Sequence, residues 1–185
     1  MVNIKWLRGR NLWYTICFTV ALILLILAPF KASEAATSNS SLIASQTVNS
    51  DMFLAKTFDV TSFIAQQKQA DGVVSFYFDA TPDYGNMYIA SKENSDSSLR
   101  PYLSIQVQGV STPLHITPSD DVHIVYDNSC YGGSSLLLIR KDKSEAYMKF
   151  DLSSIQGSIQ SASLVVHARN KNPGVSMDLQ TYKLF

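Results

Sequence analysis

Residues 145–153 read EAYMKFDLS, and this stretch alternates between apolar and polar side chains. Successive side chains of a β-strand point to opposite faces, so Met148, Phe150 and Leu152 would share one face. Tyr147 and Lys149 would lie on the opposite face. The stretch therefore predicts a strand with one buried and one solvated face, which is typical of antiparallel sheets.

The same alternation recurs in three other segments, which read VVSFYFDA (73–80), PYLSIQVQG (101–109) and SASLVVHAR (161–169). We also predict strands in four segments with a weaker pattern, at 86–92, 122–126, 135–141 and 177–184. Turn signals rich in Gly, Pro and Asp separate these segments, and only 59–69 has a helical pattern. The pattern predicts an all-β fold, an antiparallel jelly-roll-like β-sandwich.

The first 35 residues have the organisation of a secretory signal peptide. Three cations precede an apolar run from Tyr14 to Phe30, and Ser33-Glu34-Ala35 offers the small residues that a signal peptidase reads. An uncleaved anchor is the alternative, because the run is near the short limit of a membrane span. We expect a secreted, extracellular protein with no membrane contact after cleavage. Residues 36–50 are rich in Ser, Thr and Asn and predict a flexible linker.

The charge balance argues against a nucleic-acid partner. The chain of 185 residues carries fifteen Lys and Arg against fifteen Asp and Glu, and loss of residues 1–35 leaves eleven against fourteen. A dedicated nucleic-acid binder needs a cationic excess. The sequence shows no such excess, and it therefore predicts no nucleic-acid partner.

The sequence also lacks the common catalytic motifs. It has no Gly-x-Ser-x-Gly, no His-Glu-x-x-His and no Gly-rich phosphate loop, and its three histidines are scattered. We predict a protein that is not an enzyme and that needs no cofactor. Asp120 and Asp121, with Asp127 nearby, would offer carboxylates to a structural calcium ion, although solvated acids at a strand start are the commoner case.

A proline-containing linker at 110–119 divides the remainder into residues 51–109 and 120–185. The second part resembles the opening half of the DNRLRE domain, also called the family 96 carbohydrate-binding module, at Tyr131-Gly132, at 146–157 and at 161–166. The first part resembles the closing half of the same family, in segments that read FDVTSFIAQQ, GVVSFYFDA, YIASKE and PYLSIQVQG. The halves are in reversed order. Two histories fit this order: a circularly permuted module, or parts of two truncated tandem modules.

The resemblance implies binding of polysaccharide outside the cell, and we expect that polysaccharide to be acidic and to contain uronate. Sugar rings need aromatic faces, and uronates need cations. The alternation directs Tyr147, Lys149, His167 and Arg169 away from the apolar side, where they would form one basic face if their strands share a sheet. Arg140 and Lys141 extend this set, and Tyr77, Tyr88 and Tyr102 are the aromatic candidates of the first part.

Two alternatives remain open at this stage. The candidate side chains would equally suit solvated strand faces without a ligand. The chain would also fit a truncated structural or accessory fragment of a larger extracellular lyase, hydrolase or surface protein, without activity of its own. In that case a catalytic domain encoded nearby would be the expected partner.

Overall fold

The computed structural model describes residues 40–184 except 83, 84, 128 and 173. The predicted signal peptide lies outside these residues. Within them the strands, in chain order, are β1 (Ser40–Val48), β2 (Leu54–Asp59), β3 (Val73–Thr81), β4 (Met87–Ala90), β5 (Tyr102–Val107), β6 (Leu114–Ile116), β7 (Asp120–Val125), β8 (Cys130–Tyr131), β9 (Leu136–Ile139), β10 (Ser144–Asp151), β11 (Ile159–Asn170) and β12 (Met177–Leu184). One helix, α1 (Thr61–Gln69), lies between β2 and β3, and a short 3₁₀ helix spans Ser97–Leu99.

The strands form two antiparallel sheets, which confirms the predicted β-sandwich. Sheet A has the order β1-β12-β3-β10-β7-β8. Sheet B has the order β6-β5-β11-β4-β9, and β2 pairs with the other edge of β11. Strands β4 and β5 pair with successive parts of β11, and the loop that joins them, residues 91–101, separates these two strands along β11.

Each sheet combines strands from before and after the 110–119 segment. In sheet A, β3 pairs with β10 on one side and with β12 on the other. In sheet B, β11 pairs with both β4 and β5. The alternating apolar residues of both parts meet in one core, where the Phe76 ring packs edge-on against Phe63 and Phe150, with centroids 5.6 and 5.9 Å apart.

The expectation of a flexible linker at 36–50 is wrong for residues 40–48. These residues form β1, which pairs along its length with β12. Small polar side chains hide the alternation in the sequence, but Val48 is buried, and Ile43 and Ala44 pack against the core. Backbone pairing with a partner distant in sequence therefore orders a segment whose composition alone indicates a linker.

Three smaller differences separate prediction and structure. The 110–119 linker contains β6, which pairs with β5. Residues 54–59 form β2, which the sequence analysis did not predict. The helix begins at Thr61 rather than at 59, because the Asp59 carboxylate accepts the Thr61 backbone N–H at 2.9 Å and ends the preceding strand. Among the described residues, no helix is long and apolar enough to cross a membrane.

Gly157 marks the turn that leads into β11, and we expect it to tolerate no side chain. Its φ is +86°, and an added Cβ would lie 2.9 Å from Cγ1 of Val107. Gly157→Ala should lower the free energy of unfolding by about 1–3 kcal/mol in urea denaturation. Gly133→Ala is the matched control, because nothing lies within 4 Å of its added Cβ. Equal effects of the two substitutions would contradict this account.

Candidate functional site

Three tyrosines form a row across the outer face of sheet A. Tyr182 on β12 lies opposite Tyr77 on β3, which in turn lies opposite Tyr147 on β10. Their ring centroids are 5.2 and 5.4 Å apart. The residues that flank each tyrosine along β3 and β10 are buried in the core, so the alternation directs these rings to the outside. We call these three residues the tyrosine row.

A single carboxylate links two members of the row. Glu145 accepts hydrogen bonds from the Tyr147 hydroxyl at 2.7 Å and from the Tyr77 hydroxyl at 3.3 Å. Burial and then the negative charge of Glu145 raise the pKa of both phenols far above the usual range. Both tyrosines therefore stay protonated, and they act as hydrogen-bond donors rather than as bases.

An ion pair borders the row at the same face. The Lys141 Nζ lies 2.6 Å from Oδ2 of Asp79, whose side chain is largely buried. The hydrogen bond that Lys141 donates to Asp79 is the largest cause that raises the pKa of Lys141. On the β12 side, the Tyr182 hydroxyl donates to Oε1 of Gln180 at 3.1 Å. The row thus combines ring edges and faces with fixed donors and acceptors, the chemistry that recognises the hydroxyl groups and C–H faces of sugars.

The predicted basic face does not exist as one surface. Tyr147 and Lys149 lie on β10 in sheet A, whereas His167 and Arg169 lie on β11 in sheet B. The alternation correctly directs all four outward, but the sheet to which each strand belongs depends on pairing between distant segments. The single-face expectation is therefore wrong, and the two pairs lie on opposite sides of the sandwich.

The other predicted residues are also divided. Arg140 lies in the connection from β9 in sheet B to β10 in sheet A, where its backbone bridges Ser144. Tyr88 lies opposite Arg169 on sheet B, and Tyr102 packs against His115 on the same sheet with a centroid distance of 4.7 Å. Of these three predicted tyrosines, only Tyr77 joins Tyr147.

The outer face of sheet B has a different composition. The guanidinium carbon of Arg169 lies 4.6 Å from the Phe53 ring centroid and 5.6 Å from that of Tyr88. His167, two residues earlier on the strand, has its Nδ1 3.0 Å from the carbonyl oxygen of Leu99 in the 91–101 loop. We call Arg169 with its two flanking rings the arginine site.

Sequence reasoning missed four residues of these surfaces, namely Tyr182, Glu145, Asp79 and Phe53. The alternation within 177–184 and 145–153 carries a usable signal, because Tyr182 and Glu145 have the parity of outward-facing positions. The sequence contains no comparable signal for the neighbours of these residues across strands. That proximity arises from the register of β12, β3 and β10.

The acids considered for calcium do not converge. Asp120 pairs opposite Lys149, Asp121 is buried, and Asp127 lies in a turn where it accepts the Ser129 N–H. Across residues 40–184, apart from the four omitted positions, no group of three or more His, Cys, Asp or Glu residues is placed to hold a metal ion.

Asp121 instead meets the 91–101 loop. Its Oδ2 accepts the Lys92 backbone N–H at 2.7 Å, and the Glu93 carboxyl lies close by, while Oδ1 of Asp121 and Oε2 of Glu93 are buried without a hydrogen-bond partner. Burial is the main cause that raises the pKa of Asp121 to about 7; the Lys92 N–H opposes this shift and Glu93 adds to it. A shallow pocket adjoins the pair, lined by Lys92, Glu93, Arg100, Pro101, Thr117 and Pro118.

Comparison with known protein families gives a match to part of the chain. Residues 112–184, from β6 to β12, match the model of carbohydrate-binding module family 96. This match confirms the resemblance of residues 120–185 to the family 96 module, and it does not extend to residues 51–109. No curated protein and no solved structure matches the chain.

Proposed function

We propose, from the match of residues 112–184 to carbohydrate-binding module family 96, that the chain binds polysaccharide through the tyrosine row without catalysing its breakdown. The observation that carries the proposal is the register that aligns Tyr182, Tyr77 and Tyr147 on one solvent-facing surface. Three aligned aromatic side chains offer successive contacts to an extended sugar chain.

The protonation of the tyrosines supports a binding role. A phenol whose pKa is raised by burial and by a neighbouring carboxylate is a poor general base at neutral pH. Glu145 is occupied by two hydrogen bonds from these phenols, which orient it as an acceptor. Such fixed donors and acceptors bind hydroxyl groups, and they favour retention of a sugar over proton transfer.

We also propose that the polysaccharide contains uronate. The support comes from the opposite face, on sheet B, where Arg169 lies against two aromatic rings and would contact the carboxylates of such a polymer with a planar cation. Beside the tyrosine row, the positive charge of Lys141 is instead neutralised by its ion pair with Asp79. Export by the N-terminal leader would place the protein where such glycans occur, and mass spectrometry of the secreted chain would test cleavage after residue 35.

Affinity electrophoresis in gels that contain single polysaccharides tests the proposed function. The wild-type chain should be retarded by polyuronates, and Tyr147→Ala should weaken the binding about tenfold or more, since it removes one ring and one donor to Glu145. Tyr131→Ala is the matched control, because Tyr131 is an exposed tyrosine outside the row that stacks on His123. Thermal melting confirms that both variants are folded.

The outcome that overturns the proposal is specific. If no glycan in a panel of neutral and uronate polymers retards the wild-type chain, the binding role fails. The chain would then be better described as an accessory fragment of a larger protein. If Tyr147→Ala and Tyr131→Ala weaken retardation equally, binding occurs but the tyrosine row does not carry it.

A further inference from the structure

Arg169 is a cation without a counter-charge. Within the described residues Arg169 belongs to no ion pair, in contrast to Lys92, which pairs with Glu93, and Lys141, which pairs with Asp79. Its Nε is buried and has no hydrogen-bond partner. An N–H donor that has lost water without gaining an acceptor is unfavourable, and the rest of this half-buried side chain can reach a ligand from solvent.

Two aromatic rings hold the Arg169 side chain in place, but they provide no hydrogen-bond acceptor for it. The Phe53 and Tyr88 rings contact the guanidinium at 4.6 and 5.6 Å, and Tyr88 lies directly opposite Arg169 in the β4–β11 pairing. Cation–π contacts hold the plane of the group but satisfy none of its N–H donors. The arginine site is therefore organised to receive an oxyanion from outside.

The two acids of the 91–101 loop have other partners, and Glu93 is paired with Lys92. Asp96 lies close enough to His167 for the imidazole to lower the pKa of Asp96 slightly. The Asp96 carboxylate, however, accepts hydrogen bonds from the Ser98 N–H and hydroxyl at 3.0 and 2.7 Å. Those two hydrogen bonds are the main causes that lower the pKa of Asp96. A carboxylate for Arg169 is thus expected to come from a ligand.

We propose that the arginine site is a second glycan-binding site, selective for a carboxylate-bearing sugar, and that one chain binds two polysaccharide segments on opposite faces. The tyrosine row lies on the outer face of sheet A and the arginine site on the outer face of sheet B, with the core between them. A single short oligosaccharide cannot contact both faces. The inference rests on the proposed function for its first site, and it adds bivalency, which would let the chain cross-link polysaccharides.

Calorimetric titration with a uronate tetrasaccharide distinguishes the two claims. The wild-type chain should bind two molecules, Arg169→Gln and Tyr147→Ala should each bind one, and the double variant should bind none. Lys171→Gln is the matched control, because it removes the same charge from an exposed residue just beyond β11 and should keep both sites. Wild-type chain should also make a solution of long polyuronate turbid, and neither single variant should.

Each other outcome counts against a defined part of the account. One wild-type site that is lost in Tyr147→Ala and kept in Arg169→Gln overturns the second site and leaves the proposed function intact. One site that is lost in Arg169→Gln alone overturns bivalency and moves binding to sheet B. A wild-type chain that binds neither the tetrasaccharide nor any polymer overturns both proposals.

Discussion

Phe76→Ala is expected to lower the free energy of unfolding by about 3–5 kcal/mol, a large part of the stability of a domain of this size. Phe76 on β3 is fully buried, and its ring contacts Phe63 of α1 and Phe150 of β10 edge-on. Truncation to alanine removes both contacts and leaves a cavity at the centre of the sandwich.

The same variant tests whether the chain unfolds as one unit. Since β3 lies between β12 and β10, loss of Phe76 should destabilise the 51–109 and 120–185 regions together. Urea denaturation followed by far-ultraviolet circular dichroism should give one transition, shifted to lower urea. Val110→Ala, at an exposed position in a loop, should change the stability by less than about 0.5 kcal/mol.

Limited proteolysis would reveal the contrary case, in which the two regions fold independently. If residues 120–185 of Phe76→Ala survive as a soluble, folded fragment, the two regions are independent. In that case the description of one sandwich built from two complementary halves in reversed order would be wrong, and truncated tandem modules would be the better proposal.

The sequence predicted those parts of the fold that depend on local alternation. Strands β3, β5, β10 and β11 each bury every second residue, as their apolar periodicity requires. The sequence did not predict β1 or β2, because neither shows a clean alternation. Val48 is buried by pairing with β12, more than a hundred residues away, and no local signal contains that information.

The candidate site was predictable only to the level of single residues. Outward orientation follows from parity, and Tyr147 and Arg169 face outward as expected. Whether two outward residues are neighbours depends on strand order. That order places Tyr77 beside Tyr147 and separates Arg169 from Lys149. Reasoning from one sequence cannot fix it, because antiparallel partners need not be adjacent in the chain.

One contact joins the two regions of family resemblance directly. The 91–93 segment, Ser-Lys-Glu, lies in the part that resembles a closing half, and Asp121 lies in the strand that begins the opening half. The Lys92 N–H donates to Asp121, and the Glu93 carboxyl contacts it. This supports the proposal that the two parts complete one module, and it places a buried titratable pair at their junction.

Asp121→Asn is expected to remove a pH dependence of stability. Burial raises the pKa of Asp121 to about 7 from the ordinary 3.8, so the folded chain binds more protons than the unfolded chain between these values. The stability from the protonated pair is complete below about pH 4 and is lost as the pH rises through about 7. Asparagine has the shape of the protonated acid, and it can still accept the Lys92 N–H and donate to Glu93.

The measurement is the free energy of unfolding in urea of wild type and Asp121→Asn at pH 5 and pH 8. The advantage of the variant over wild type should grow by about 2–3 kcal/mol from pH 5 to pH 8, because the pKa of about 7 leaves wild type two further pH units of loss and the two ionised carboxylates then repel each other. His123 on the same strand has a pKa lowered by burial, and its titration acts in the opposite direction. Taking the difference between variant and wild type cancels that contribution.

The neighbouring Asp120→Asn is the matched control, because Asp120 lies on the outer face opposite Lys149, and its loss should leave the wild-type slope unchanged. Besides Glu93, the charged group that acts on Asp121 is Lys92, and Arg100 lines the adjoining pocket. If the free energy of unfolding of Asp121→Asn changes with pH as steeply as that of wild type, the pair shares no proton. Stabilisation of wild type by millimolar calcium, absent in the variant, would show that a cation joins the two carboxylates in its place.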